Sequence, residues 1–403
     1  MNFSPSEIDR TNLSVDRKPK NVTILGSTGS IGCNTLDLIS RNPDQYNVMA
    51  LTANQNVDLL AEQAMKFNAD MAVIADEMLL ADLKSALSGT NVVVAAGKEA
   101  LNEAADMPAE WVMSSIVGAA GLRPTLTAVR RGATVALANK ECLVCAGEFM
   151  MDQVKTSGAT ILPVDSEHNA VYQIFDFEHP ETIEKITLTA SGGPFWNTDI
   201  SQMAAITPQQ AIKHPNWAMG AKISVDSATM MNKGLEIIEA YYLFPVRKDQ
   251  LDIVIHPESI IHSMVSYMDG SVLAQLGTPD MRTPISYTLG WPNRMNSPSK
   301  KLDLTEIGSL HFIKPDIERF PALNLTREVL QCGGSAPTIL NASNEVAVYA
   351  FLEGKIKFLD IAKIVEETLN AIDFYDMKSL SDVHEVDENA RRVSNELITG
   401  ITE

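Results

Sequence analysis

VTILGSTGSIGCNTLDLIS, residues 22–40, decides how this 403-residue chain folds. Four apolar, β-prone residues lead into a turn with glycines at 26, 29 and 32, and a stretch with helical spacing follows. A strand that passes through such a turn into a helix offers free backbone N–H groups and the positive end of a helix dipole. Glycines let phosphates approach that backbone closely. The spacing is G-x-x-G-x-x-G and not G-x-G-x-x-G, so the turn alone also fits a tight connection that binds nothing.

The surroundings favour a ligand. Strand-like runs recur at VTIL (22–25), YNVMALT (46–52), MAVIA (71–75), NVVVA (91–95), WVMSSIV (111–117), TVALA (134–138) and ATILPV (159–164). Helical stretches such as DLLAEQAMKF (58–67) and LLADLKSAL (79–87) lie between them. This alternation predicts an α/β fold whose N-terminal domain is a Rossmann-type parallel sheet that binds a dinucleotide. An NAD site usually carries Asp or Glu after the second strand. Here that turn reads Ala53-Asn54-Gln55-Asn56, with no carboxylate before Asp58 and no basic residue. The missing negative charge favours NADPH.

Composition sets the outer bounds. An apolar fraction of 45% supplies a sizeable core, and a formal net charge of −19 argues against nucleic acid or an anionic membrane surface as partner. No apolar run approaches the roughly 20 residues that span a bilayer. Residues 1–20 are polar and mixed in charge, and are expected to form a loose tail with no secretory signal. Four cysteines in a chain this long suit a reducing cytoplasm. Cys142 and Cys145 are spaced C-x-x-C but lack further zinc ligands, and they read as small buried hydrophobes.

The chemistry begins in ILPVDSEHNAVYQ (161–173), where an apolar strand ends in Asp165-Ser166-Glu167. In an extended segment the two carboxylates share one face, and hard oxygen ligands there suit a divalent cation such as Mg²⁺, Mn²⁺ or Co²⁺. Alone, the tripeptide would more often be a solvated turn. SVDSATMMNKGLEIIEA (224–240) shifts the balance. Asp226 or Ser227 is the expected N-cap; Asn232 and Glu236 share a helix face, with Lys233 about 100° round. Glu236 offers a third carboxylate, and Ser227, Asn232 and Lys233 a phosphate grip. Gly234 inside the helix suggests close packing or a ligand. The competing view is an ordinary amphipathic helix with Lys233 and Glu236 exposed. Ser191-Gly192-Gly193-Pro194 could cradle an anion. His214 to Gly220, with Trp217 among them, has the composition of a flap over a ligand. His168 is a possible further ligand; His179, His256, His262, His311 and His384 read as structural.

GSTGSIG (26–32), ANKE (138–141), PVDSEHNA (163–170), SGGPF (191–195), HPNWAMG (214–220), ISVDSATMMNKGLE (223–236), HPESIIHSMV (256–265) and GTPDMRTPI (277–285) together resemble the 1-deoxy-D-xylulose 5-phosphate reductoisomerases. The resemblance covers most of the chain in family order. It implies an NADPH- and metal-dependent enzyme of non-mevalonate isoprenoid synthesis that makes 2-C-methyl-D-erythritol 4-phosphate by skeletal rearrangement and hydride reduction. It also implies roles. Asp165, Glu167 and Glu236 would ligate the cation, and Lys140 and Ser166 would contact the sugar phosphate beside it. Ser191, Ser227, Asn232 and Lys233 would hold its phosphate, and His214 and Trp217 would belong to the flap. Thr28, Gly29, Ser30, Ile31, Asn139, Glu141 and Gly220 would face NADPH, as would the turn Asn54-Gln55-Asn56. At Gln55 the family often has a basic residue. The implied organisation is a tail (1–20), an NADPH-binding domain (21–164), a central α/β catalytic domain (165–290) with a flap (211–221), a linker (291–325) and a small C-terminal helical domain (326–403). The family suggests a homodimer. Two rival classes are a nicotinamide dehydrogenase acting on an amino or sugar acid and a non-catalytic redox sensor. Both leave the three carboxylates and the phosphate set without a task.

Overall fold

The computed structural model describes residues 18–217 and 220–402. The expected tail thus lies outside them up to residue 17, as do Ala218 and Met219 of the expected flap.

Seven strands form one sheet: β1 Lys20–Leu25, β2 Tyr46–Ala53, β3 Met71–Ile74, β4 Val93–Ala96, β5 Trp111–Ser114, β6 Thr134–Leu137 and β7 Thr160–Pro163. Each falls on one of the seven apolar stretches, and all neighbours are parallel, in the order β4-β3-β2-β1-β5-β6-β7. β3 and β5 are buried throughout, which is why they read as continuous apolar runs without alternation. The order reverses between β1 and β5, so a crevice opens at their C-terminal ends. Gly26 sits there at φ 88°, and a Cβ on it would come within 2.8 Å of the Ser115 carbonyl oxygen after β5. The next helix, Ser30–Ser40, starts from Gly29 with no side-chain cap, so its first N–H groups face the crevice without an internal partner.

A second sheet contains β8 Ile183–Ala190, β9 Leu251–Ile255, β10 Ile261–Tyr267 and β11 Val272–Leu276, in the order β11-β10-β8-β9. β8 and β9 are parallel; the other pairs are antiparallel. The helices Ser166–Ile174 and Met231–Leu243 pack on its inner face, while its outer face, with Lys185, Asp252, Met264 and Ser266, borders an open groove.

Three features depart from the expected organisation. The helices Ala336–Leu352, Asp360–Ala371 and Leu380–Thr402 build no core of their own; Ile339, Val348, Ile364 and Val386 join Ile186, Leu188 and Ile253 in one continuous core. The helix Ala322–Cys332 runs across the 325/326 boundary, and the stretch before it is pinned to β9 by an Ile255–Ile313 bridge. The helix Arg282–Gly290 puts Ile285 and Leu289 into the core of the first sheet with Val22 and Ile24, and Trp111 Nε1 donates to the Thr288 carbonyl at 3.0 Å. Its amphipathic pattern says that one face is buried, not against which sheet. No helix among the described residues is long and apolar enough to cross a membrane.

Candidate active site

Strand ends of the first sheet and helices of the second region meet around a cavity of about 200 Å³. Its lining includes Ser30, Ile31, Lys140, Asp165, Ser166, Glu167, Ser191, His214, Trp217, Gly220, Ser227, Asn232, Lys233 and Glu236. Residues drawn from six of the quoted stretches of sequence are thereby brought to one place.

The carboxylates converge, though not by the expected route. Residues 166–174 form a helix and not an extended segment, with Asp165 just before it and Glu167 in its first turn. The strand pattern of 159–164 breaks at Pro163, and Asp165-Ser166 is a helix-start signal that outweighs it. Ligand oxygens of Asp165, Glu167 and Glu236 lie within 4.8 Å of one another. Glu236 is almost wholly buried, against the exposed-helix alternative.

Two lysines neutralise this cluster. Lys140 Nζ is 2.7 Å from Asp165 Oδ2 and 3.2 Å from Glu236 Oε1, and it donates to Asn232 Oδ1 at 2.8 Å. Lys233 Nζ is 2.8 Å from Glu167 Oε1 and also pairs with Glu236 Oε2. Burial alone would lower the Lys140 pKa, but Asp165 and Glu236 outweigh it and hold the ammonium well above its usual range. Burial raises Glu167, and the Glu236 charge adds to this, bringing its carboxyl to about 7. Burial also pushes Asp165 up, but Lys140 overrides it and keeps that carboxyl far below the ordinary range. The donor set is all oxygen and anionic, with two buried ammonium groups offsetting part of its charge. It therefore fits a hard divalent cation.

The side of the cavity expected to take the phosphate is arranged through hydrogen bonds. His214 Nδ1 accepts from the N–H groups of Asn216 and Trp217 at 3.2 and 3.0 Å. Burial lowers its pKa to about 4, so the ring is neutral and carries its proton on Nε2. That N–H donates to Ser191 Oγ at 2.8 Å, and the Gly193 N–H donates to the same oxygen at 3.2 Å. With both lone pairs engaged, the Ser191 O–H is left to donate into the cavity. Asn216 ties this loop down, donating to the Pro257 carbonyl at 2.7 Å and to Ser259 Oγ at 3.0 Å.

Ser227 lies near the end of the helix Ala221–Ala228, so neither it nor Asp226 is an N-cap. The following helix starts from Met230 in a left-handed conformation, a kink that helical periodicity does not announce. Asp226 instead pairs with Lys222 at 2.8 Å and accepts from Asn344 Nδ2 at 2.8 Å. Gly234 marks close packing: a Cβ there would collide with Thr326 of the neighbouring helix.

The cofactor-facing set divides. Ser30 and Ile31 reach the cavity, with Thr28 and Gly29 immediately before them; Gly220 lines it from the opposite side. Asn54, Gln55 and Asn56 lie at the end of β2, outside this cavity. Asn139 and Glu141 do not line it. The Asn139 side chain donates to the Ile116 and Gly118 carbonyls and accepts from the Cys142 N–H, and so braces the turn after β5. Glu141 is buried 3.7 Å from Lys222.

Sequence reasoning missed several lining residues: Ile223, Met230, Ser259, Met281 and His262. His262 was read as structural. Its ring lies 6.2 Å from that of Trp217, and burial lowers its pKa. The available signal was its place in a matched motif. His168 is not in the cavity wall; its Nε2 is 2.8 Å from the Glu236 carbonyl oxygen and its Nδ1 3.0 Å from Glu239 Oε2. Burial would lower its pKa, but Glu239 raises it to about 9. Cys142 and Cys145 are buried, free thiols, and burial raises the Cys142 pKa to about 12.

The comparisons with known proteins agree with this geometry. Residues 22–147 match the family described as 1-deoxy-D-xylulose 5-phosphate reductoisomerase, and residues 161–244 and 276–393 match the two C-terminal domains of that enzyme. The chain is similar to the 1-deoxy-D-xylulose 5-phosphate reductoisomerase of Rhodospirillum centenum, at 58% identity over 94% of both chains. A solved structure of the Zymomonas mobilis enzyme in complex with NADPH aligns with TM-score 0.91 and 55% identity, covering 94% of this chain and 99% of that one. A further reductoisomerase, solved in complex with NADPH, fosmidomycin and magnesium, aligns with TM-score 0.91 and 42% identity, over 95% and 99%.

Proposed function

This chain belongs to the 1-deoxy-D-xylulose 5-phosphate reductoisomerase family, and on that premise we propose a role for each group in the cavity. The protein is an NADPH-dependent reductoisomerase that converts 1-deoxy-D-xylulose 5-phosphate to 2-C-methyl-D-erythritol 4-phosphate in isoprenoid precursor synthesis. NADPH supplies the hydride, and a divalent cation supplies Lewis-acid stabilisation of negative charge on substrate oxygens.

Asp165, Glu167 and Glu236 hold the cation. The observation that carries this reading is the convergence of their oxygens beside a set of neutral donors and lysines suited to a phosphate. Lys140 places a second positive charge against the same substrate oxygens. The Ser166 hydroxyl, now 2.5 Å from Glu167 Oε2, turns to the substrate. Ser191, Ser227, Asn232 and Lys233 grip the phosphate, with His214 aiming the Ser191 O–H. Trp217 covers the substrate, and closure of residues 211–221 excludes water. A bound cation would favour the ionised Glu167 carboxylate, reversing the rise that burial and the Glu236 charge impose on the metal-free site. Thr28, Gly29, Ser30 and Ile31 receive the pyrophosphate at the uncapped helix start, Gly220 lies near the nicotinamide, and Asn54, Gln55 and Asn56 take the adenosine end. Asn139 and Glu141 act on the cofactor site by bracing its walls.

We also propose a cytoplasmic homodimer. The outer face of the second sheet supports the dimer: Val272 on β11 and Phe312 and Ile317 beside the groove are exposed large hydrophobics. NADPH oxidation with deoxyxylulose phosphate tests the whole reading. EDTA should abolish it, and Mg²⁺, Mn²⁺ or Co²⁺ should restore it; undiminished turnover in EDTA would remove the metal from the scheme.

A further inference from the structure

We propose that Asp76, at the end of β3, sets how this chain distinguishes a 2′-phosphorylated dinucleotide from an unphosphorylated one, and that it narrows the preference for NADPH. The inference rests on reading Asn54-Gln55-Asn56 as the adenosine end of the cofactor site.

The sequence shows no carboxylate in the turn after β2, yet the fold delivers one from the neighbouring strand. Asp76 follows β3, which pairs with β2, and its backbone N–H donates to the Asn54 carbonyl at 3.1 Å. Its side chain is held at both oxygens. Oδ1 accepts the Met78 N–H at 3.0 Å, capping a short 3₁₀ turn, and Oδ2 accepts from Gln55 Nε2 at 3.0 Å. These partners are neutral, so neither supplies a positive charge to offset the carboxylate beside the turn. The Gln55 amide points its donor at Asp76, and Asn56 Oδ1 is occupied in capping the helix Val57–Lys66 through the Leu59 N–H.

A ribose 2′-hydroxyl is a donor, and a carboxylate at this turn is the partner that unphosphorylated dinucleotides use. A 2′-phosphate brings about two negative charges to the same place, where it meets Asp76 and no cation in the turn. Hydrogen bonds from the turn can still hold the phosphate, but against a repulsion that a basic residue at 55 would have cancelled.

Isothermal titration of the full, metal-free chain with adenosine 2′,5′-bisphosphate and with 5′-AMP tests this without turnover. Asp76→Asn keeps both hydrogen-bond positions and removes only the charge. It should tighten the bisphosphate by about threefold to tenfold, whereas 5′-AMP, which brings no 2′ charge, should not gain. The gain should shrink as salt rises, which a structural effect would not do. Gln55→Lys should tighten the bisphosphate as well. If Gln55→Lys does so and Asp76→Asn does not, the turn receives the phosphate but Asp76 does not govern it, and the proposal fails alone. If neither substitution alters either probe, the adenosine binds elsewhere, and the site reading fails with it.

Discussion

Nζ of Lys140 lies 2.7 Å from Oδ2 of Asp165, so a cation carried just beyond β6 and a carboxylate carried just beyond β7 neutralise each other across the mouth of the sheet. The ammonium occupies charge that a divalent ion would otherwise claim. Lys140→Met should therefore separate two properties. Apparent Mn²⁺ affinity, read from the electron paramagnetic resonance of free Mn²⁺, should rise, while kcat falls by about 10²–10³ because a positive group aimed at developing charge is gone. A parallel loss of both would reduce Lys140 to scaffolding.

Glu236 is the most buried of the three carboxylates and the one both lysines share. Glu236→Gln preserves shape but keeps an acceptor for only one of the two lysines; circular dichroism should still be unchanged. Mn²⁺ affinity should drop by more than about 100-fold, and turnover should nearly vanish. Normal activity of this variant at low Mg²⁺ would end its assignment as a ligand.

Burial holds the His214 imidazole near pKa 4, well under the ordinary histidine range. The unfolded chain takes up this proton first as pH falls, so the contribution to stability is intact above about 6.5 and is lost as pH drops toward 4. A histidine NMR titration of the apo protein should give one ring with a midpoint near 4 that disappears in His214→Gln. A midpoint near 6.5 for that ring would contradict the packing around Ser191.

Gly234 is where the helix Met231–Leu243 touches the helix Ala322–Cys332. Propensity alone would reward Gly234→Ala by about 1 kcal/mol, but the new methyl overlaps Thr326. The overlap should win, with a net loss of about 1–3 kcal/mol in urea unfolding. Adding Thr326→Ala should recover part of that loss, because it clears the space the methyl needs.

How legible the molecule was depended on whether a feature is local. The seven strands of the first sheet were readable because strands buried on both faces are apolar end to end and glycines and polar residues punctuate them. Many of the cavity-lining residues were readable because chemistry of one kind gathers in short motifs. The conformation around Asp165 was not: the strand's last residues and the helix's first compete within three positions. Met230 was missed because a left-handed residue outside glycine leaves no compositional trace. Neither the burial of the helix Arg282–Gly290 in the first sheet's core nor the arrival of Asp76 beside Gln55 has any local signature, since both depend on which strands become neighbours. His262 sits where the register of β10 with β11 slips between Ile261 and Ser263, amid consecutive buried residues, so periodicity cannot tell a buried face from one that lines a cavity.

Asn344, on a helix near the end of the chain, is the residue that grips Asp226 just before Ser227. The pocket floor is thus completed by a segment made more than a hundred residues after it. During synthesis the ribosome must release nearly all of the polypeptide before that floor can set. Until then the faces of the helices Glu141–Ser157 and Ala221–Ala228 that receive the helix Ala336–Leu352 wait uncovered, a natural moment for a chaperone to intervene.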